Sequence, residues 1–189
     1  MSGFFPHAIE TSWALWVLYW MVSAAHVKRT LRREPLSSRA AHFVPMILAF
    51  GLLAAPRRPD SLFERFVPAS TLLDGVAAFM VTAGLLFAVW ARVHLGANWS
   101  GRVSLKENHE LIRTGPYRFV RHPIYTGLLL AIFGTALAVG EWRGLLATAL
   151  MFVSYWRKLR VEEALMRATF GDDYRRYCEH TAALIPYVI

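Results

Sequence analysis

The chain is 189 residues long, enough for one domain, with 56% hydrophobic and 18% charged residues. That balance, with only 12 Gly and 9 Pro, excludes disorder and collagen-like structure, and a single cysteine, Cys178, excludes a disulfide scaffold. The 21 Lys and Arg against 13 Asp and Glu leave a formal charge of +8, which in so apolar a chain points to basic loops beside a membrane rather than to nucleic acid.

Uncharged runs recur along the whole chain. They predict one all-α, polytopic membrane domain over 1–189, with five spans at 11–27, 40–56, 73–93, 123–140 and 142–157 and a tail at 158–189. In the first span Trp13, Trp16, Tyr19 and Trp20 suit a membrane interface, as do Trp142, Tyr155 and Trp156 around the last. This run lacks a basic leader and a small-residue cleavage site, so it is expected to be a retained span. Pro45 is expected near the first turn of span two, and Pro123 at the first turn of span four, where a missing N–H costs least. Residues 140–144 are so short a link that spans four and five must form an antiparallel hairpin.

Orientation follows from the basic residues. Arg57, Arg58, Arg65 and Arg143 fall on one side and the other 17 on the opposite side. Loop one, loop three and the C-terminus are therefore predicted to be cytoplasmic, with the N-terminus outside.

Polar residues gather in two places. Loop three, 92–121, leads through the turn signal Thr114-Gly115-Pro116 into Arg121-His122-Pro123-Ile124-Tyr125-Thr126-Gly127 at the mouth of span four. The tail continues as a helix with i,i+4 pairs Lys158–Glu162 and Glu163–Arg167. Phe170-Gly171 should stop it, and Asp172 should cap a short second helix. Taken singly, these residues have plain structural roles. His122 would cap a helix, Glu162 and Glu163 would form a solvated face, Arg121 would anchor at the interface, and His109 would sit in a loop. The seven histidines show no tight pairing that suggests a metal, and phosphate loops, dinucleotide fingerprints and serine elbows do not occur.

Together these residues closely resemble the isoprenylcysteine carboxyl methyltransferase family, whose wider relatives are membrane phospholipid methyltransferases and sterol-reductase-like proteins. The resemblance rests on Gly115-Pro116-Tyr117, on Arg121 to Gly127, on Glu162-Glu163 and on Phe170 to Tyr174, and covers 98–186. It implies a cytosol-facing S-adenosyl-L-methionine site made by loop three, the start of span four and the tail. The cofactor contacts it implies are His109, Glu110, Leu111, Ile112, Tyr117, His122, Pro123, Ile124, Tyr125 and Glu162. Lys158 stands where the eukaryotic enzyme has a substrate-linked arginine, with Arg157 and Arg160 close by. Lysine does not replace a bidentate arginine neutrally, which puts the acceptor in question more than the cofactor.

The expected function is methyl transfer to a lipophilic acceptor entering from the bilayer, a carboxylate ranking first. The cluster Arg121, Arg157, Lys158 and Arg160 would hold an anionic head. An already activated methyl donor needs alignment and exclusion of water rather than a general base for a carboxylate. For acceptors that must lose a proton, His122 is the candidate base. Alternatives are a phenolic or amine lipid acceptor, an NADPH-linked reductase on a related scaffold, and a non-enzymatic membrane adaptor. The expected partners are membrane lipids and a lipophilic or lipidated substrate.

Overall fold

The computed structural model describes residues 4–24, 30–33, 36–56, 58, 60–96, 99, 104–106 and 110–186. Six helices form the framework: α1 Phe4–Ser23, α2 Leu36–Ala54, α3 Thr71–Leu95, α4 Pro123–Val139, α5 Trp142–Phe170 and α6 Asp172–His180. Two short strands, β1 Thr30–Arg33 and β2 Ser104–Lys106, pair antiparallel with Thr30 opposite Lys106. The ribbon sits beside a framework that is helical, as expected, and its strands of four and three residues are too short for a sequence pattern to mark them.

The core forms where α3 meets α4, the largest helix contact, with α2 on α5, α5 on α4 and α1 on α3. Small residues make the closest approach possible. A Cβ added at Gly84 of α3 would stand 2.5 Å from the Gly127 carbonyl oxygen of α4. The two backbones therefore touch, as in membrane helix pairs with small residues at the seam. Ala77, Val81, Leu85 and Ala88 of α3 bury against Leu128, Ala131 and Ile132 of α4, and Met151 and Tyr155 of α5 join the same core.

Helix boundaries depart from the uncharged runs in instructive ways. α1 begins at Phe4, because His7 and Glu10 are exposed and pair across one turn at 3.5 Å, so charge does not end the helix. α2 begins at Leu36, leaving Pro45 inside it rather than near its start. Packing along α5 outweighs the hydrogen bond that the proline cannot make. α5 runs unbroken for 29 residues, carrying the tail's first helix as a direct continuation of the last apolar run. Gly171 ends it, as expected, with φ at 52°, but Gly171 itself occupies the cap position of α6 and Asp172 lies one residue inside. There Asp172 pairs with Arg175 at 3.4 Å instead of capping.

Gly140 and Glu141 alone link α4 to α5, giving the predicted hairpin. A buried Glu141–Arg143 pair at 2.7 Å closes this end, and Arg143 also donates to the Leu52 carbonyl at 2.8 Å, tying the end of α2 to α5. By length and hydropathy, α3 is the one described helix able to cross a membrane unaided, while 40–54 of α2 and all of α4 are shorter apolar helices.

Candidate functional site

The site is built where the chain enters α4. Gly115 opens a tight turn over Gly115–Arg118 with φ at 59°, and a Cβ there would meet the His94 ring at 2.7 Å. The turn buries Tyr117, whose carbonyl accepts a 2.5 Å hydrogen bond from the Tyr177 hydroxyl of α6. The next residues are strapped to the C-terminal segment. Val120 bridges Ala182, the Arg121 N–H donates to the Ala182 carbonyl at 2.9 Å and the His122 N–H to that of Ala183 at 3.0 Å. The Thr126 hydroxyl reaches the Leu184 carbonyl at 2.7 Å. Backbone donors that α4 cannot satisfy at its own start are thus satisfied by the strap.

Strapping aims Arg121 and His122 at the glutamates of α5. Arg121 donates through Nε to Glu163 Oε1 at 2.8 Å and through Nη1 to the Thr181 carbonyl. Arg167 meets Glu163 Oε2 at 3.1 Å, as the i,i+4 spacing predicts. The His122 ring lies 3.5 Å from both Glu162 and Glu163, with its side chain 9% exposed. His122 occupies the N-cap position of α4, as expected, but its side chain makes no capping bond and turns to the glutamates instead, and Glu163 is buried rather than solvated. Burial opposes charge on Glu163, but His122 and Arg121 outweigh it and hold its carboxyl down at about 2. Glu162 is lowered too, against its burial, by His122, Lys158 and the Tyr125 hydroxyl. Burial works against charge on His122, yet the two carboxylates raise it above the ordinary imidazole value. His122 is thus held between two carboxylates that favour its charged form.

Adjacent glutamates do different work because neighbouring helix residues point about 100° apart. Glu163 faces the tail, whereas Glu162 faces a cavity of about 450 Å³ and accepts from the Tyr125 hydroxyl at 2.6 Å. Tyr125 stacks on His122 at 5.5 Å and on Tyr155 at 4.8 Å, and the Lys158 ammonium lies 5.4 Å from its ring centre.

Glu110, Leu111, Ile112, Tyr117, His122, Pro123, Ile124, Tyr125 and Glu162 all line this cavity, as does Lys158. His109, with Asn98, Glu107 and Asn108, lies outside the described residues. Arg121 lines the cavity but its guanidinium is engaged with Glu163 and the tail, while Arg157 and Arg160 are exposed and absent from the lining. The predicted cationic cluster is thus split, because α5 turns Lys158 inward and its neighbours outward.

The remaining wall comes from residues not singled out for the site: Trp16 and Trp20 of α1, His42, Phe43 and Met46 of α2, and Trp99. Trp16 stacks on Trp20 at 4.6 Å, and Trp20 meets Trp99 edge-on at 5.5 Å. Two buried N–H-bearing atoms in this lining, Trp16 Nε1 and His122 Nε2, make no hydrogen bond within the described residues.

Fold and cavity define a class: a helical bundle that encloses an amphipathic small-molecule site at a helix mouth. Residues 73–173 match the family described as phospholipid methyltransferase, more than half of the chain, and the chain belongs to that family. It is 32% identical over 101 residues to the protein-S-isoprenylcysteine O-methyltransferase of Schizosaccharomyces pombe, covering 52% of this chain and 43% of that one. It is 34% identical over 71 residues to methanethiol S-methyltransferase 1 of Bradyrhizobium diazoefficiens, covering 38% and 24%. The chain thus matches half or less of the length of these relatives. Its fold is similar to that of the eukaryotic intramembrane Ras methyltransferase, an isoprenylcysteine carboxyl methyltransferase, with a TM-score of 0.58 at 20% identity over 81% of this chain and 50% of that one.

Proposed function

We propose that the protein transfers a methyl group from S-adenosyl-L-methionine to a lipophilic acceptor, in the first place a carboxylate. One observation carries this reading: a half-buried Glu162, its carboxyl held below the ordinary value, faces a cavity with one wall of indole, phenyl and aliphatic groups. The residues present fit such a donor. The cavity volume lies within the roughly 300–1,000 Å³ of small-molecule sites. A carboxylate faces it, and the His122 ring lines it beside that carboxylate.

Glu162 would pair with the donor's ammonium, and the N-terminus of α4, beginning at Pro123, would favour its carboxylate. Tyr117 and Tyr125 offer flat faces and hydroxyls, and Glu110, Leu111 and Ile112 close the side toward loop three. When bound, the donor supplies a methyl group already activated on a sulfonium. The residues then have to hold the acceptor in line with it and keep water out, which the apolar walls do. Lys158, buried and facing the cavity, supplies the positive charge that an acceptor carboxylate needs. The same reading places five helices, α1 to α5, across a membrane, with the Glu162 end of the cavity toward the cytoplasm.

Calorimetry of S-adenosylmethionine with the purified protein in detergent tests the reading, followed by transfer of a radiolabelled methyl group to extracted membrane lipids. Binding with transfer to an acid-stable, base-labile lipid ester is the expected result. Binding of NADPH in place of S-adenosylmethionine would return the chain to the reductase alternative.

A further inference from the structure

Arg92, in the last turn of α3, is only 4% exposed and is not part of the cavity lining. Its guanidinium serves three groups at once. Nη1 donates to the carbonyl of Gly96, which caps the end of α3, at 2.8 Å. Nη2 donates to the carbonyl of Ser23, the last residue of α1, at 2.6 Å. Its central carbon lies over the Trp99 ring, 4.4 Å from the ring centre. Both carbonyls belong to helix C-termini, where peptide oxygens lack partners and a positive charge is favoured.

Keeping a charge away from water is costly, and well-packed apolar side chains often do as well in its place. The Arg92 Nε adds to that cost, since it is buried without a hydrogen bond among the described residues. What a guanidinium adds over an apolar residue is direction: a rigid fork of donors and a flat face fix several groups in one geometry.

The groups fixed in this way lead into the cavity. Trp20 sits in the last turn of α1, where its carbonyl accepts from the Ser23 hydroxyl at 3.1 Å and from the Ala24 N–H at 3.0 Å. Trp20 and Trp99 meet edge-on at 5.5 Å, and both line the cavity. Trp16, one turn back along α1, stacks on Trp20 at 4.6 Å. One guanidinium thus holds a corner of three indoles from behind, Trp99 by direct contact and the other two through the end of α1.

We infer that Arg92 is a positioning residue that pins the Trp20–Trp99 corner and so sets how tightly the acceptor's apolar part binds. The inference rests on the methyl-transfer reading above, which gives the indole wall to the acceptor, and adds a residue that touches neither donor nor acceptor.

The test compares the wild type with Arg92→Lys, Trp99→Leu and the double variant, as full chains in detergent. Lysine keeps the charge but has no fork to serve both carbonyls and cover the indole. First, bromododecanoate is titrated with no methyl donor present, and saturable quenching of tryptophan fluorescence, reversed by dodecanoate, is read. Each single variant should bind it about tenfold more weakly, the order of a desolvated cation–π contact. The double variant should lose much less than the product of the two effects, because the residues act through one contact. Second, with S-adenosylmethionine, Arg92→Lys should raise the KM for dodecanoate about as much while the KM for the donor moves little. A merely structural role would lower kcat and leave both KM values in place. Binding as expected without methyl transfer leaves Arg92 assigned and sinks the donor reading instead. Trp99→Leu lies outside the helices and keeps the test decisive if Arg92→Lys does not fold. Unchanged bromododecanoate affinity in either single variant, independent effects in the double variant, no saturable quenching in the wild type, or a larger rise in the donor's KM than in the acceptor's overturns the assignment.

Discussion

The cavity has two kinds of wall, and they are held in place by different forces. The wall from the start of α4 and from α5 and α6 is built of charge and hydrogen bonds. Arg121, His122, Glu162 and Glu163 form one ionic cluster, and the C-terminal strap fixes the backbone that carries two of them. The wall from α1 and α2 is built of indoles and aliphatic groups, with the His42–Ser154 contact as its main polar tie to α5. Residues 73–173, which match the family, contain most of the first wall and none of α1 or α2. A donor of fixed chemistry needs directional partners, whereas acceptors can be exchanged by repacking apolar side chains. On the function proposed above, the two walls would divide the work along that line.

Breaking the ionic wall should have the largest effect. Glu163→Ala leaves Arg121 and His122 facing each other without their shared carboxylate, and loss of one partner from a buried ion pair costs about 3–5 kcal/mol. Thermal unfolding in detergent should show a much lower midpoint. The pH dependence follows from the same cluster. The Glu163 carboxyl is depressed, so its contribution is complete above the ordinary value of 4.5 and is lost as pH falls toward about 2. His122 is raised, so its contribution is complete below 6.5 and is lost as pH climbs through the raised value. Unfolding midpoints measured against pH should peak between these limits, and Glu163→Gln should flatten the acid limb.

Next in size is Glu162→Gln. It removes a charge-assisted contact worth about 1.5–3 kcal/mol, so S-adenosylmethionine should bind roughly ten- to a hundredfold more weakly by calorimetry. Equal, small effects at Glu162 and Glu163 on donor affinity would erase the distinction between the two glutamates. Smaller again is Tyr125→Phe, which deletes the 2.6 Å bond to Glu162. Its cost of about 0.5–1.5 kcal/mol should appear as a roughly two- to tenfold weaker donor. Trp16→Phe keeps an aromatic ring in the other wall but removes the unsatisfied N–H together with the rest of the indole's second ring. Binding of a lipophilic phenol, followed by tryptophan fluorescence, should weaken by a few-fold at most, with the donor's affinity moving less. The orientation of the whole arrangement is tested at Cys178: an impermeant maleimide should label it in inside-out vesicles and miss it in intact cells.

The polar wall was legible through the family resemblance rather than through local spacing. Arg121, His122, Pro123 and Tyr125 lie within five residues, but Glu162 follows on the next helix, and taken singly these residues read as a cap, an anchor and a solvated face. The step of about 100° between adjacent helix residues is what separates the directions of Glu162 and Glu163. The apolar wall was not legible. Trp16 and Trp20 read as interface aromatics, and His42 sits in an apolar run with no polar neighbour to mark it. What gives His42 its place is Ser154, 112 residues away, and no local pattern encodes such a contact. The mid-helix Pro45 escaped for a related reason, since contact with α5 overrides the local preference.

The strap that joins 182–184 to 120–126 also has a consequence for biosynthesis. Its partners are about 60 residues apart, as the Arg121–Thr181 bond shows, so the ribosome delivers the second long after the first. Helices α3 and α4 can close their seam while His122 still lacks Glu162, Glu163 and the carbonyls that aim it. A nascent chain therefore holds its tightest helix pair before α5 and the strap complete the cavity. Anything that severs or caps the segment after α6 should leave a protein that is stably inserted, correctly shaped along its apolar helices, and catalytically mute.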